Sequence, residues 1–533
     1  ETLAASLGAN IDLSGGVSTY QGELQIAVDP NNPQHLVAGA NSFYKDPTAA
    51  CLSPAGGAAN TYGTQALYGS TDGGATWVYQ CAPWNPSVTG GVTGAAFWFG
   101  SDPAMTFDSA GNAYAVYMLV SQNGAGTAAG ASIVIAKSTN TGASWSNLGI
   151  IVNRIGVSTN LDDKEMVAID TSSGQAHSHA NRIYVIWDEG NSERVAYSDN
   201  GTSWTTVSVH NAGSSDIGGD IEVGKDGTVY AVWNELHGSG GDVTVFKRST
   251  DGGATWSTSK TAFSHSLASF GSNNVPPVQA DRGVNAFASI DVDKNSASAY
   301  FGTLYIATPD FPVGTSSGNN INTYVVRSTD NGDTWSSRVL VNDDGVTTNT
   351  QIFPWLAVDQ SDGSVNVAWY DTRVDTTNHR KSQIYYGRSV NGGTSFEANL
   401  LVNDNGANFT NAVNYSDENA TDNANQNANQ YGDYMGIAAS NRQVHSLWTD
   451  TRNYFPVNGT KKEDAATSTI VNCSAPAWGA TPTASCGGAT LSISWTAPAW
   501  GTNATGGTYT VYRHTDAGCT SAAVQVAADI PGT

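Results

Sequence analysis

Seven times along the chain an apolar run closes on an aromatic or aliphatic residue and then, in most copies, an acid. The runs are HLVAGANS (35–42), AYAVYML (113–119), RIYVIWDE (182–189), TVYAVWNE (228–235), TLYIATPD (303–310), SVNVAWYD (364–371) and QVHSLWTD (443–450). Their length and their Val, Ile, Tyr and Trp content predict buried strands. A second apolar strand precedes each one across a short turn such as DSAGN or GKDG. Six polar segments ending in an aromatic follow: STDGGATW at 70–77 and again at 249–256, STNTGASW (138–145), SDNGTSW (198–204), STDNGDTW (328–335) and SVNGGTSF (389–396). Each has the chemistry of a hairpin corner, because Asp or Asn bonds its own turn amides, Gly takes positive φ and the aromatic returns to the sheet.

A four-stranded unit repeated seven times predicts an all-β chain folded as a seven-bladed β-propeller, with a six-bladed ring as the alternative. The last unit lacks a corner, so its outer strands are expected from residues 463–471 (EDAATSTIV) and from an N-terminal stretch near Asn10 to Leu13 that closes the ring. The corner pattern S-x-D-x-G-x-x-W resembles the Asp-box, or BNR repeat, of sialidases and related secreted propellers, over roughly residues 20–470. In that family the boxes are structural corners far from the active site. After Thr469 the texture changes, and the W-T-A-P and Y-x-V-Y-R segments resemble a fibronectin type III domain. The expected division is a propeller over 1–471 and a partial β-sandwich over 472–533, which is short for such a domain.

Composition narrows the setting. The chain has 533 residues with 58 glycines, 22 tyrosines and 15 tryptophans but only 10 lysines, which suits an extracellular all-β protein. A formal charge of -23 disfavours nucleic acid and anionic membrane as partners. No apolar run is long enough for a membrane span. The start at Glu1 reads as a mature exported product, and the five cysteines as disulfide-forming. Cys51 and Cys81 fall in neighbouring insertions and are the expected bridge; Cys473, Cys486 and Cys519 allow three pairings.

Loop lengths separate the two rims of the ring. The corners and most inner turns are tight, whereas insertions at 43–66, 78–101, 257–285 and 397–432 gather on the other rim, where a functional site is expected. Aligning the seven second strands at that rim gives the column Ser42, Leu119, Glu189, Glu235, Asp310, Asp371, Asp450. Near-uniform repetition of acids reads as scaffold. Asp371 and Asp450 each have an arginine two residues on, Arg373 and Arg452, and with Arg282 these could clamp an acidic sugar or else pair with neighbouring aspartates. Asp102, Asp163, Glu165, Asp220, Asp433 and Tyr434 lie on the strands leading into blades at the same rim, and carboxylates near one axis could ligate Ca²⁺. Asp163, Glu165 and Asp433 are the candidate ligands. Trp98 and Trp355 could stack on sugar rings, with Asp371 and Asp450 as further substrate contacts, although core packing is the commoner fate of such aromatics. His177 and His179 read as solvent-exposed.

The sialidase resemblance implies three arginines for the substrate carboxylate, a tyrosine nucleophile with a helper glutamate, and an aspartate as acid or base. Carried onto this sequence, these are Arg282, Arg373 and Arg452, Tyr431 or Tyr434 with Glu235, and Asp102. The F/Y-R-I-P segment that holds the family's first arginine is not in this sequence, whose earliest arginine is Arg154. Three readings follow: a glycoside hydrolase acting on an extracellular glycan or glycoprotein, a non-catalytic glycan- or protein-binding propeller, and a structural component of a cell-surface or matrix assembly.

Overall fold

The seven apolar strands are the buried centres of seven antiparallel sheets, as alternation on a half-exposed strand would not allow. From the axis outward, blade 1 runs Gln25–Asp29, Asn32–Ala40, Ala66–Ser70 and Val78–Cys81; blade 2, Ala96–Phe107, Ala113–Gln122, Ala128–Ser138 and Ser146–Asn153; blade 3, Asp162–Ile169, Ile183–Glu189, Ser192–Ser198 and Thr205–Ser208. Blade 4 runs Ser215–Val223, Val229–Leu236, Val243–Ser249 and Lys260–Ser264; blade 5, Ser289–Val292, Leu304–Asp310, Asn322–Ser328 and Val339–Leu340; blade 6, Gln351–Asp359, Ser364–Asp371, Lys381–Ser389 and Leu400–Leu401. Blade 7 has Gly436–Ser440, Gln443–Asp450 and Asp464–Val471, and its fourth strand is the N-terminal Ile11–Asp12. The expected N-terminal closure is therefore present, and the innermost strands touch in unbroken succession from blade 1 to blade 7 and back to blade 1.

This computed structural model describes residues 5–472 except 15–20, 43–64, 84–87, 89–95, 123–127, 155–161, 191, 211–214, 272–274, 281, 346–347, 405–412, 418–430 and 453–462, together with four strands beyond 472. Gly8–Thr469 form the ring, and Glu1–Leu7 with Ile470–Thr533 form a second unit. In that unit Thr483–Gly487 pairs with Thr490–Ser494 and Thr508–Arg513 with Val524–Pro531. Beyond these strands the residues expected to complete a partial sandwich lie outside the described set. Among the described residues no helix is long and apolar enough to cross a membrane. The segment 257–285, expected as a loop, contains the outer strand of blade 4.

The corners repeat one hydrogen-bond pattern. In the first, Ser70 Oγ accepts from the Gly74 amide (2.9 Å), Asp72 Oδ1 accepts from the Thr76 amide (2.8 Å), and the Trp77 indole N–H reaches the Gly74 carbonyl (3.0 Å). The second identical octapeptide repeats these contacts at 2.9, 2.9 and 3.1 Å. Each corner also rests on the preceding blade. Arg182 of blade 3 donates to the Gly252 carbonyl of the blade 4 corner (3.0 Å), Arg248 of blade 4 to Asn331 of the next corner (2.6 Å), and Arg327 of blade 5 to Gly392 of blade 6 (2.6 Å). Gly74 of blade 1 faces His445 and Thr469 of blade 7, so the contact continues across the closure. Blade 7 has no corner, and there Arg442 bonds Asp359 (2.6 Å) and Asp362 (3.1 Å) of blade 6 instead. His177 and His179, expected in solvent, are half-buried against blade 4: the His179 ring lies over Gly252.

Along the axis the free edge of each innermost strand needs partners for its amides. Asp220 of blade 4 accepts from the Ile290 amide (2.8 Å), and Asp291 of blade 5 from the Val358 amide (2.8 Å). A channel of about 290 Å³ runs between these strands.

Gly332 tests the inter-blade contact. It has φ +86°, and a Cβ there would sit 2.0 Å from the Phe246 ring of blade 4, whereas Gly318, at φ +103°, would meet nothing within 4 Å. Gly318→Ala should cost only the left-handed strain, about 1–2 kcal/mol, and Gly332→Ala about 1–3 kcal/mol more for displacing the ring. Equal losses in denaturant melts would show that the corners do not join blades.

Candidate functional site

At the long-loop rim the innermost strands are bent by one recurring device. Two residues stand opposite one, a bulge of one extra residue, between Ser101 and Ala104 in blade 2, Asp163 and Met166 in blade 3, Ile217 and Asp220 in blade 4, and Ile352 and Trp355 in blade 6. The first bulged residue is left-handed in each: Asp102 (φ 55°), Lys164 (58°), Gly218 (71°) and Phe353 (53°). Glu23 (φ 52°) and Gly432 (85°) take the same conformation just before the strands of blades 1 and 7. For a residue with a Cβ this costs about 1–2 kcal/mol. Such strain persists where the surroundings over-determine it, and here it brings charged side chains from several blades together.

Lys164 is the centre. Its ammonium lies 2.7 Å from Asp433 Oδ2, 3.1 Å from Glu23 Oε1 and 3.1 Å from Asp102 Oδ2, so one cation of blade 3 holds carboxylates from segments belonging to blades 7, 1 and 2. Arg282, leading into blade 5, donates from Nε to Asp433 Oδ1 (2.7 Å) and pairs through Nη2 with Asp433 Oδ2 and with Glu23 Oε1 (3.4 Å). Asn41 donates to Glu23 Oε2 (2.5 Å) and accepts the Asp102 amide (2.6 Å). Glu23, Asp102, Lys164, Glu165 and Asp433 are all buried.

This arrangement separates the carboxyls into two charge states. Burial alone would push Asp102 and Asp433 up, but the Lys164 ammonium, aided at Asp433 by Arg282, holds both below the usual carboxylate range. Burial, reinforced by Asp102, pushes Glu23 and Glu165 well above it. Asp163 is pushed up by burial to about 6, with Lys164 opposing. Lys164 itself is held charged: burial favours its neutral form, and Asp102, Asp433 and Glu23 outweigh that. Burial and the Asp102 charge raise the Tyr434 phenol, whose ring lies 5.6 Å from Lys164 Nζ, so it stays neutral. The half-buried Asp163, the Arg282 side chain (35% exposed) and Phe270 (36% exposed, its ring 5.9 Å from the Arg282 guanidinium carbon) are the members of this cluster open to solvent.

The expected site residues divide accordingly. Asp102, Asp163, Glu165, Arg282, Asp433 and Tyr434 converge on Lys164. Trp355 lies beside Tyr434 (ring centroids 5.6 Å apart) and is buried in the channel wall, away from solvent. Tyr431 is buried against Tyr370 and Ser382, toward blade 6. The three arginines do not form one clamp. Arg373 pairs with Asp371 (2.9 Å) and Asp343 (2.9 Å), and its guanidinium carbon lies 3.9 Å from the centroid of the Tyr385 ring. Arg452, wholly buried, pairs with Asp450 (2.8 Å) and bonds Asn10 of the closing strand (2.9 Å). Asp371 and Asp450 also accept the indole N–H groups of Trp369 (3.0 Å) and Trp448 (2.8 Å), which is scaffold work. Glu235 lies beside His210 (3.3 Å) in blade 4, whereas Tyr431 faces blade 6 and Tyr434 faces Lys164. Asp102, expected to act as an acid, is held ionised. Asp433 spends its oxygens on Lys164 and Arg282, and Asp163 and Glu165, expected with it as Ca²⁺ ligands, lie around the same ammonium. The side chain of Trp98 lies outside the described residues, as does Cys51; Cys81 closes the outer strand of blade 1. Lys164 and Glu23 were not foreseen. Their signal is a charged residue in left-handed conformation, inside the bulge for Lys164 and just before the strand for Glu23, which shows only once the blades are aligned.

No protein-family model matches the chain, and no curated protein matches it. Solved structures to which it is similar include a protein of unknown function from Dyadobacter fermentans (11% identity, 88% of this chain and 100% of that one, TM-score 0.45) and the NanB sialidase of Streptococcus pneumoniae (9%, 69% and 67%, 0.44). A third is the intramolecular trans-sialidase of Ruminococcus gnavus (14%, 68% and 92%, 0.43).

Removing the central cation should expose the cost of its partners. Lys164→Met should destabilise the ring by about 3–5 kcal/mol at pH 7, because it leaves buried carboxylates uncompensated. The depressed pKa values of Asp102 and Asp433 keep them ionised from pH 7 to 5 in the parent protein; without Lys164 they rise and take up protons in that window. The gap between variant and parent should therefore narrow at pH 5 in chemical denaturation. A gap that is small, or constant with pH, would contradict the assignment.

Proposed function

We propose that this propeller is an extracellular glycoside hydrolase for sugars carrying an acidic group, working at the long-loop end of its axis. The observation that carries the reading is the division of neighbouring carboxyls into one still protonated near pH 6, Asp163, and two held ionised, Asp102 and Asp433. Carboxyls whose surroundings push their pKa values apart are what acid–base chemistry on a glycosidic bond requires. Asp163 is half-buried at the mouth and gives its proton to the leaving oxygen as the C–O bond breaks with its electron pair. Water then adds to the sugar cation and returns a proton to Asp163. The fixed negative charge of Asp102 and Asp433 favours that cation electrostatically. Arg282 offers a guanidinium to an anionic substituent, and Phe270 a ring face to the sugar.

A second reading is favoured by the ion pairing around Lys164: the same end binds an extracellular glycan or glycoprotein without turnover. Assays against sialosides and uronides separate the two. Hydrolysis should be found, with kcat/KM falling as pH rises through about 6, since Asp163 must carry its proton to act. Asp163→Asn should lower kcat at least about 100-fold while leaving the melting temperature near that of the parent. Glycan binding with no turnover at any pH from 4 to 8 would replace the first reading with the second.

A further inference from the structure

Blades 3 and 4 share a hazard that they resolve differently. In each, the innermost and second strands set two acids directly opposite one another: Asp162 against Glu189 in blade 3, and Asp216 against Glu235 in blade 4. Like charges in register across a ladder are destabilising. In blade 3 the connection arriving from blade 2 supplies Arg154, which bridges both, 3.2 Å from Asp162 and in contact with Glu189. In blade 4 the corresponding connection supplies His210. Its Nδ1 lies 2.7 Å from Asp216 Oδ2 and its Nε2 3.3 Å from Glu235 Oε1, while Nε2 of the nearby His237 lies 3.4 Å from Glu235 Oε2. Among the described residues His210, Asp216 and Glu235 form the one group of metal-ligand side chains whose ligand atoms all lie within 4.8 Å of one another. Blade 4 also departs from blades 3, 6 and 7 at its tryptophan. There a carboxylate accepts the indole N–H, as Asp162 does from Trp187 (3.0 Å); in blade 4 Trp233 Nε1 has no partner and Glu235 is turned to the histidines.

We propose that His210, Glu235 and His237 bind a divalent transition-metal ion, Zn²⁺ by their donor set, and that Asp216 orients His210. Two imidazoles and a carboxylate suit Zn²⁺, whereas Ca²⁺ takes oxygen alone. The 3.3 Å from His210 Nε2 to Glu235 Oε1 is close to the edge of a tetrahedron with metal–ligand bonds of about 2.1 Å, and His237 Nε2 lies 3.4 Å from the other oxygen, Oε2, so the carboxylate stands between the two imidazoles. His210 keeps Nε2 for the metal because Nδ1 is held by Asp216, whose other oxygen has no hydrogen-bond partner and which is almost wholly buried. This is the usual support of a metal-bound imidazole by a carboxylate. His237 is exposed enough (45%) to turn onto the ion, and a water completes the shell. The ion would lock the connection between blades 3 and 4 to the long-loop rim, the place that Arg154 takes one blade earlier.

The test is isothermal titration of the chelator-treated full chain with Zn²⁺, together with the visible spectrum of its Co²⁺ form. One ion per chain should bind, raising the melting temperature and giving Co²⁺ bands of tetrahedral intensity. His237→Ala, at an exposed position, should weaken Zn²⁺ binding at least tenfold, and Asp216→Asn by about 10–100-fold. The proposal is overturned if micromolar Zn²⁺ does not bind saturably, which would leave His210 as a hydrogen-bond partner of the acid pair. It is equally overturned if binding is unchanged in His237→Ala and His210→Ala, or is lost on replacing His177 and His179 instead.

Discussion

A four-stranded sheet with both faces apolar cannot stand in water, and every other feature of this ring answers to that constraint. Each blade must bury its faces on two neighbours, so the seven are stable only as a closed circle. The corner glycines, the arginines that reach the next corner, and the aspartates that receive amides from the adjacent innermost strand all serve those contacts. Closure needs a strand from the other end of the chain. Asn10 holds it there, wholly buried, donating to Val402 O and accepting from Arg452 (both 2.9 Å).

The same geometry forces seven innermost strands to converge at one end, where there is room for side chains from every blade and little room for water. Charges gathered there without compensation would be prohibitive. Lys164 is the compensation: a single ammonium among three carboxylates, placed by a left-handed bulge that the neighbouring blades share. Because it neutralises some carboxylates and leaves others to be neutralised by protons, it creates acids and bases side by side. Structural necessity and chemical capacity thus have one source, and the solvent-facing members, Asp163, Arg282 and Phe270, are where it can meet a ligand.

Much of the ring was legible in the sequence. Letter-for-letter corners, seven apolar strands ending at a common column and an N-terminal stretch able to complete the last blade all follow from local chemistry that strand pairing preserves. The rim at which the charged side chains around Lys164 gather is the one that loop length had singled out. Partnership among charges was not legible. Arg373 and Arg452 look alike in sequence to a substrate clamp and to a strut for Asp371 and Asp450, since the difference lies in whether the guanidinium turns inward or back along its own blade. Lys164 was hidden because a bulge shifts the alternation that marks which residues face the axis, and Glu23 because it lies before its strand begins. His210 was hidden for another reason: its acid partners come together only when two strands are in register.

The account stands on Lys164 being a permanently charged centre rather than a lysine buried by accident. Selective isotope labelling of lysine and a titration of the Lys164 side-chain resonance by NMR would test this directly. With Asp102, Asp433 and Glu23 around it, the ammonium should keep its proton well beyond the pH at which the exposed lysines titrate. Loss of the proton at or below the ordinary lysine value would show that burial outweighs the carboxylates, and the division of acids and bases built on that charge would fall with it.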